Sequence, residues 1–561
     1  MQDNKLTKEQ NTAVEHPLDD DLLIVAAPGA GKTRTLVARI RRAIFAGHRV
    51  TAITFTNNAA RELKGRLEDS GLGMERSFIG TIHSLAIKFA SENPEKLEFM
   101  RKGFTFLDEE SLSMILADCA DALKYKPTRK ELVEVLLKDP KKILRPAKAP
   151  RSKRDVWIRT VWNIFLTQNG WPFDAALWEF IPHVSKLERS LLFVDECQDT
   201  GPAEKEIFDR WEGSRTLVGD PRQAIYSFRG ASLAVIEDAM KDANVLEIRK
   251  TFRFGVDIAE TANDIMRGSD LPPLNLIEAA PIDEKPPGEV IVRGLTCPTE
   301  EISHTIAILQ ESLANSTTAA VLLRSNALVK EYGEQIKAAI PDVWISGTSD
   351  DPEEAREGRI LGLLASFVVN PYSPAAEMSL ATVSFTREEV RASLRSTEAL
   401  KSLTERLRDK FSLTKEARLE TVGDLANFLE SQTVLPQIKN RIRAIAEGLG
   451  RDEPAAMMLP GLGSQLRVKE KDDLPQIVVM TMHAAKGLEF DSVIIPAQEL
   501  KGKRADLEEE RRLFYVAATR AKSRLVITWS RTRKFFEQGR LEPREPSVFV
   551  STLIRKIGGE E

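Results

Sequence analysis

Residues Ala26 to Thr33 read AAPGAGKT; the apolar run Leu22 to Ala26 leads into them, and a helical pattern follows from Thr33 to Phe45. Leu36, Val37, Ile40 and Ile44 fall on one side of that helix. A buried parallel strand, a glycine-bearing loop and a helix in this order leave few folds open. Gly29 and Gly31 let the loop Ala27-Pro28-Gly29-Ala30-Gly31 turn backbone N–H groups toward phosphate oxygens, and the helix N-terminus adds a favourable dipole. Lys32 would reach the β- and γ-phosphates, the Thr33 hydroxyl would ligate Mg²⁺, and Arg34 extends the contact set into the first helical turn. Ala26 stands where the general pattern has Gly. A ligand-free glycine turn is the bland alternative, and the intact Gly-Lys-Thr sets it aside.

The same texture recurs along the chain. Val50 to Phe55 reads as a strand before a helix over Ala59 to Leu67, and Leu191 to Val194 and Arg215 to Val218 are two more short apolar strands. Ala319 to Arg324, Gln476 to Thr481, Ser492 to Ile495 and Arg524 to Thr528 form a second set, with a helix over Leu507 to Arg520. Alternating strands and helices imply doubly wound parallel sheets. The expectation is an α/β protein of two parallel-sheet domains, each carrying a mainly helical insertion. Residues 1–87 and 187–251 form the first domain and 88–186 its insertion. Residues 252–349 and 473–561 form the second domain, and 350–472 a smaller insertion.

Composition narrows the setting. At 561 residues the chain holds about three or four domains. Its formal net charge of −4 carries no global basic signature, so any nucleic-acid site must be a local patch. Three dispersed cysteines, Cys119, Cys197 and Cys297, form no disulfide framework and fit a reducing cytoplasm. No run reaches the roughly 18 apolar residues of a membrane span.

The second half of the nucleotide site is LLFVDECQD, Leu191 to Asp199. An apolar strand ending in Asp195 puts a carboxylate beside the metal, and Glu196 next to it can orient the attacking water. VDECQD, VGDPRQAIYSFRGA (218–231), TMHAAKGLEFD (481–491) and EERRLFYVAATRA (509–521) together resemble the ordered motifs of superfamily 1 DNA helicases of the UvrD/Rep/PcrA type. LTKEQ, FTNNAA, GTIHS, KTFRF and VLLRSN extend the resemblance from residue 6 to residue 521.

The resemblance implies two RecA-like domains around ATP and Mg²⁺. It gives Gln10 the adenine edge, Phe252 a stack on the base where relatives often have Tyr, Gln223 a γ-phosphate sensor, and Glu489 the ribose or γ-phosphate region. Arg253 and Arg520 would be arginine fingers; guanidinium forks suit the charge that develops on a transferring phosphoryl group. It also places Phe55, Thr56, His83, Tyr226, Phe228, Arg229, Thr481 and His483 on a single-strand track. Taken alone, Phe55 ends a strand, where a lone Phe is more often core. Tyr226 and Phe228 follow a loop and are flanked by Arg222 and Arg229, the composition of a stacking platform. The two histidines are equally readable as structural. Asn58 replaces the family's usual Lys, and Ala224 its usual Ser.

Three further features are legible from the residues alone. Lys124 to Arg159 holds thirteen Lys/Arg against four acids, which suits a phosphate-tracking surface and a solvated helix face equally. Trp157, Trp162, Trp171 and Trp178 are spaced among Ile158, Val161, Ile164 and Phe165 as helix packing, not as a stacking surface. Cys197 gains no local cation to lower its thiol pKa.

The expected activity is an ATP-dependent translocase and helicase on single-stranded DNA and single-strand/duplex junctions, with 3′ to 5′ polarity implied by the resemblance, in repair, recombination or defence. The alternative is a DNA-stimulated motor subunit that needs a nuclease or repair-protein partner. Only 41 residues follow Arg520 (561 − 520), too few for an appended nuclease. A monomer or weak dimer, with no membrane association, completes the expectation.

Overall fold

A computed structural model describes residues 6–68, 77–97, 105–107, 109–128, 131–132, 135, 152–168, 170–172, 174–227, 230–281, 285–346, 352–369, 380–381, 384–385, 397–411, 419–459, 462, 475–497, 507–534 and 541–557. Two six-stranded parallel sheets organise them. The first runs Phe78–Gly80, Val50–Ile53, Leu191–Val194, Arg215–Gly219, Leu22–Ala26, Asn244–Ile248 across its width. Leu22–Ala26 is buried along its whole length, as an all-apolar strand covered by helices on both faces must be. Chain order and spatial order part company here. The strands leading to residue 27 and to residue 195 are separated by only one neighbour, and both deliver their ends to the carboxyl edge where such sheets bind ligands.

The second sheet runs Glu289–Leu295, Ala521–Ser530, Phe490–Ile495, Ala319–Leu323, Ile477–Thr481, Trp344–Ile345, again all parallel. Helices Val256–Met266 and Leu507–Ala518 pack on each other, and Leu507–Ala518 also packs on the Pro221–Gln223 turn of the first half. One apolar cluster extends from Leu22 and Ile40 through Ile258 to Val493 and Tyr515, so the two halves share buried surface.

Each sheet has its helical insertion. In the first, helices Glu109–Ala122 and Lys153–Gln168 close over Trp157, Trp162 and Trp171, all fully buried. Trp157 Nε1 donates to Leu116 O at 3.3 Å and Trp162 Nε1 to Val135 O at 3.1 Å, which satisfies the indole N–H groups and bears out the packing reading. Trp178 packs instead beside the first sheet. Most of the basic run, including Arg129, Lys130 and Lys138 through Arg151, lies outside the described residues. Of its described cations, Arg154 is paired with Glu131 at 2.9 Å.

In the second insertion, helices Pro352–Val369, Thr397–Lys410, Val422–Ser431 and Pro436–Leu449 surround Leu364, Phe367, Leu425, Leu429 and Ile442. That cluster also takes in Ile87, from helix Ile82–Glu92 of the first half. Lys88 on the same helix bonds both oxygens of Glu453 at 2.6 Å. The insertion therefore leaves the second sheet's chain but rests on the first sheet's edge. Among the described residues, no helix is long and apolar enough to cross a membrane.

Candidate functional site

Strand Leu22–Ala26 enters the loop through Ala27, and Gly29 and Gly31 take left-handed φ of +75° and +80°. Helix Lys32–Phe45 starts with Gly31 as N-cap and no side-chain cap, so its first N–H groups present themselves to an anion. Ala27 and Ala30 are buried, and Arg34 is half-buried on the first turn. A Cβ at position 29 would lie 2.4 Å from the Cβ of Arg253, which shows how closely that residue approaches the loop. The Thr251 hydroxyl donates to Pro28 O at 2.6 Å, and Phe252 N donates to Gly29 O at 3.1 Å. The loop is thereby stitched to the segment Thr251-Phe252-Arg253.

Gln10 reaches the same loop from the other side. Thr7 and Gln10 form a capping box that starts helix Lys8–Glu15, with Gln10 Oε1 accepting from Thr7 N at 2.9 Å. Its Nε2 donates to Ala30 O at 2.9 Å. Fully buried Arg39 secures this helix to the loop's own helix by donating to Ala13, His16 and Pro17 carbonyls and to the Thr216 hydroxyl. Burial brings its pKa down to about 10. The Phe252 ring is 42 % exposed, with Lys250 Nζ 5.1 Å from its centroid, and stands free for a planar ligand.

Strand Leu191–Val194 delivers Asp195 and then Glu196, which adopts φ +53°. A left-handed non-glycine residue at this point marks a backbone bent to aim a side chain. Glu196 Oε2 accepts from Lys32 Nζ at 3.0 Å and from Gln198 Nε2 at 2.6 Å. Burial works against the Glu196 charge, but the Lys32 and Lys486 ammonium groups and the Gln198 hydrogen bond together overcome it and hold the carboxyl below its usual range. Burial, with the Glu196 charge adding to it, pushes Asp195 the other way, well above that range. A cation beside Asp195 would reverse that push, and one hydroxyl (Thr33) with one carboxylate is a donor set suited to Mg²⁺, which keeps several waters.

A third carboxylate organises the far side. Asp220, fully buried, accepts from Arg222 N and Nε at 3.1 and 2.8 Å, from Gln223 Nε2 at 2.9 Å and from Tyr515 Oη at 3.3 Å. Gln223 Oε1 in turn accepts from Arg520 Nη2 at 3.3 Å. The Gln223 amide thus spans from the first sheet's Asp220 to the second half's Arg520. Burial, with Arg253 close by, lowers the Arg520 guanidinium to about 9. Arg253 donates to Glu489 Oε1 at 2.7 Å and to Thr519 O at 2.9 Å. Lys32, Glu196, Gln223, Arg253, Arg520 and Glu489 therefore form one connected constellation between the halves. Cys197 beside it is buried and its thiol pushed up by burial, an inert packing group.

The expected nucleic-acid residues divide. Phe55, 40 % exposed, stacks on Tyr226 with centroids 5.5 Å apart and planes 10° from parallel. Lys486 Nζ lies 4.7 Å from the Tyr226 centroid. Phe55 is surface rather than core because its strand ends at Ile53. Thr56 and Thr481 turn their hydroxyls to local N–H groups, of Ala59 at 3.1 Å and Ala484 at 3.2 Å. His83 Nε2 lies 3.0 Å from Asp174 Oδ1, and His483 is half-buried. Phe228 and Arg229 lie outside the described residues. Lys486, Asp199, Asp220, Thr251 and Tyr515 carry much of the geometry and were given no role from the sequence. All five stand inside quoted motifs, so the signal was present; their partners were not visible.

The sequence matches two families, the UvrD/REP helicase N-terminal domain over residues 6–166 and 184–244 and the UvrD-like helicase C-terminal domain over residues 368–532. Over 99 % of its length the chain is 26 % identical to the ATP-dependent DNA helicase PcrA of Leuconostoc citreum, covering 85 % of that protein. It is 25 % identical to the ATP-dependent DNA helicase PcrA of Staphylococcus aureus (strain Mu50), with 99 % of this chain and 87 % of that one aligned. The probable DNA helicase II homolog of Rickettsia conorii is 26 % identical across 98 % of this chain and 96 % of its own.

Proposed function

Because the chain belongs to the UvrD/Rep family of ATP-dependent DNA helicases, we propose that it moves 3′ to 5′ along single-stranded DNA and parts duplexes at junctions, driven by ATP hydrolysis in the seam between its two sheets. The observation that carries this reading is the Gln223 amide held between Asp220 of the first half and Arg520 of the second. One planar group in contact with both halves can report an event in the seam to each of them.

Each residue then takes a physical role. The loop N–H groups and Lys32 receive the β- and γ-phosphates, with Lys32 exchanging Glu196 for phosphate oxygens. Glu196, released from Lys32, orients a water in line with the γ-phosphorus and accepts its proton. Thr33 and Asp195 would hold Mg²⁺, which neutralises phosphate charge when bound. Arg253 and Arg520 face the transferring group, where fixed guanidinium groups stabilise developing charge most strongly. Gln10 and Phe252 select the base edge and cover its face, and Glu489 fixes the Arg253 fork. Phe55 and Tyr226 open to stack bases, and Thr56, His83, Thr481 and His483 complete the proposed track, to which Phe228 and Arg229, outside the described residues, are assigned by motif alone. The proposed motor divides into four parts, with boundaries near residues 87, 187, 252, 350 and 473.

We also infer a nuclease or repair factor as companion, in a repair, recombination or defence pathway of the cytoplasm, with the motor itself a monomer or weak dimer. The deciding experiment measures ATP turnover with and without single-stranded DNA and unwinding of duplexes tailed at either end. Stimulated turnover with opening of only the 3′-tailed substrate is expected; opening of only the 5′-tailed substrate would reverse the polarity, and turnover indifferent to DNA would remove the motor reading.

A further inference from the structure

The edge strand Phe78–Gly80 pairs on one side only, with Val50–Ile53, among the described residues. Its outer edge faces helix Pro436–Leu449 of the second insertion, and between them lies a cavity of about 310 Å³. Residues 77–80 form its base. Arg61 and Lys64 line it from helix Asn57–Glu68, Ser84 and Lys88 line it from helix Ile82–Glu92, and Gly448 closes it from the insertion. The insertion helix approaches this closely because residue 448 lacks a side chain; a Cβ there would lie 2.8 Å from Arg61 Nε.

The lining carries more positive than negative charge. Three cations face one acid, Glu453, which is already committed to Lys88 through both oxygens. Lys64 has Glu68 at 4.0 Å, a separation that holds it loosely. Arg61 presents a planar fork and Lys64 a mobile ammonium, the pair of groups that suits a phosphodiester. The Phe78 ring lies against Gly80, where a Cβ would stand 2.7 Å from it, and offers an apolar face in the same space. The volume falls at the small end of ligand sites, about 300–1,000 Å³. Its position is decisive: Phe55 and Thr56 run directly into Asn57, and His83 directly into Ser84, so the cavity adjoins the aromatic pair.

We propose that this cavity receives one nucleotide of the translocating strand beyond the Phe55–Tyr226 pair, with its phosphodiester on Arg61 and Lys64 and its base against Phe78. This rests on the single-strand reading above and adds to it a subsite walled partly by the second insertion. A strand seated there touches both the first sheet's edge and a helix supplied by the second sheet's chain.

The test uses the full chain with the Arg61→Ala/Lys64→Ala double variant and, separately, Gly448→Leu, which fills the space while keeping every charge. Fluorescent oligothymidylates of 4–20 nucleotides are titrated at several salt concentrations. For the double variant, Kd is expected to rise about tenfold, and the slope of log K against log salt to shrink by about 0.7, the value for one phosphate neutralised on a single strand. The shortest oligonucleotide reaching full affinity should lose one nucleotide in both variants, while DNA-free ATP turnover stays at the wild-type rate. Lys64→Glu alone, at a half-exposed site, gives the same direction if the double variant folds poorly. Unchanged affinity, slope and minimal length would overturn the subsite. So would competition at this cavity by thymidine monophosphate with no change in oligonucleotide binding, which would make it a free-nucleotide site. Wild-type protein that neither binds single strands nor responds to them would instead overturn the parent reading, a separable result.

Discussion

Lys486, from the second half, places its ammonium 2.7 and 2.5 Å from the two carboxylate oxygens of Asp199, from the first. The same ammonium donates to Gln223 O at 3.0 Å and stands over the Tyr226 ring. One buried cation thus contacts the residue that meets Arg520 and the residue that stacks on Phe55. It is a direct physical link between the phosphate chemistry and the proposed strand.

Removing that link should uncouple the two sites. Lys486→Met leaves Asp199 buried without its ammonium, and DNA stimulation of ATP turnover is expected to fall about 5–150-fold, the range for a coupling of about 1–3 kcal/mol. DNA-free turnover should stay near the wild-type rate. Steady-state turnover across an oligonucleotide titration checks this; an unchanged stimulation ratio would contradict it.

Asp199 should also leave a signature in stability. Burial, which outweighs Lys486, raises its carboxyl to about 6 from the ordinary 3.8. Between those values the native state binds more protons than the unfolded chain, so stability falls as pH rises from about 4 to about 6 and is flat with respect to this group above that. Asp199→Asn removes this dependence, a change on the order of 2–3 kcal/mol across the window. Urea midpoints of both proteins at half-unit pH steps measure it, and parallel curves would count against the assignment.

Hydrolysis depends on the seam residues in different degrees. Glu196→Gln keeps shape but loses the proton acceptor, and turnover should drop about 10²–10⁴-fold. Arg253→Ala and Arg520→Ala should each cost about 10³–10⁵-fold. Lys32→Ala should abolish turnover. Circular dichroism should show all four folded, and turnover near the wild-type rate in any of them would remove that residue from the site.

The aromatic pair gives a prediction about affinity. At 5.5 Å between centroids, Phe55 and Tyr226 touch each other, and no base fits between them without their separating. Tyr226→Ala should weaken single-strand binding by about 1–3 kcal/mol, the contribution of one base stacked on an aromatic ring. Anisotropy with a labelled oligonucleotide measures the loss. Equal affinity in the variant would place the strand elsewhere.

The strands legible in the sequence were the inner four of each sheet. Those not anticipated, Phe78–Gly80, Asn244–Ile248, Glu289–Leu295 and Trp344–Ile345, are the four edges. An inner strand covered on both faces reads as an unbroken apolar run, whereas an edge strand is short or half-exposed and loses that signal. The site shows the same division. Lys32, Asp195 and Glu196 announce themselves by local spacing. The meeting of Asp199 with Lys486, 287 residues apart, is a product of the fold alone. The left-handed turn at Glu196 carries no glycine to signal it.

Gly29 draws two of these features into one constraint. A methyl group there would press on the Cβ of Arg253, so Gly29→Ala would disturb the grip on the phosphates and the aim of the guanidinium by the same displacement. Nucleotide affinity and catalytic alignment are therefore not independent quantities in this molecule: any redesign that loosens the cradle also retunes the group that completes the reaction.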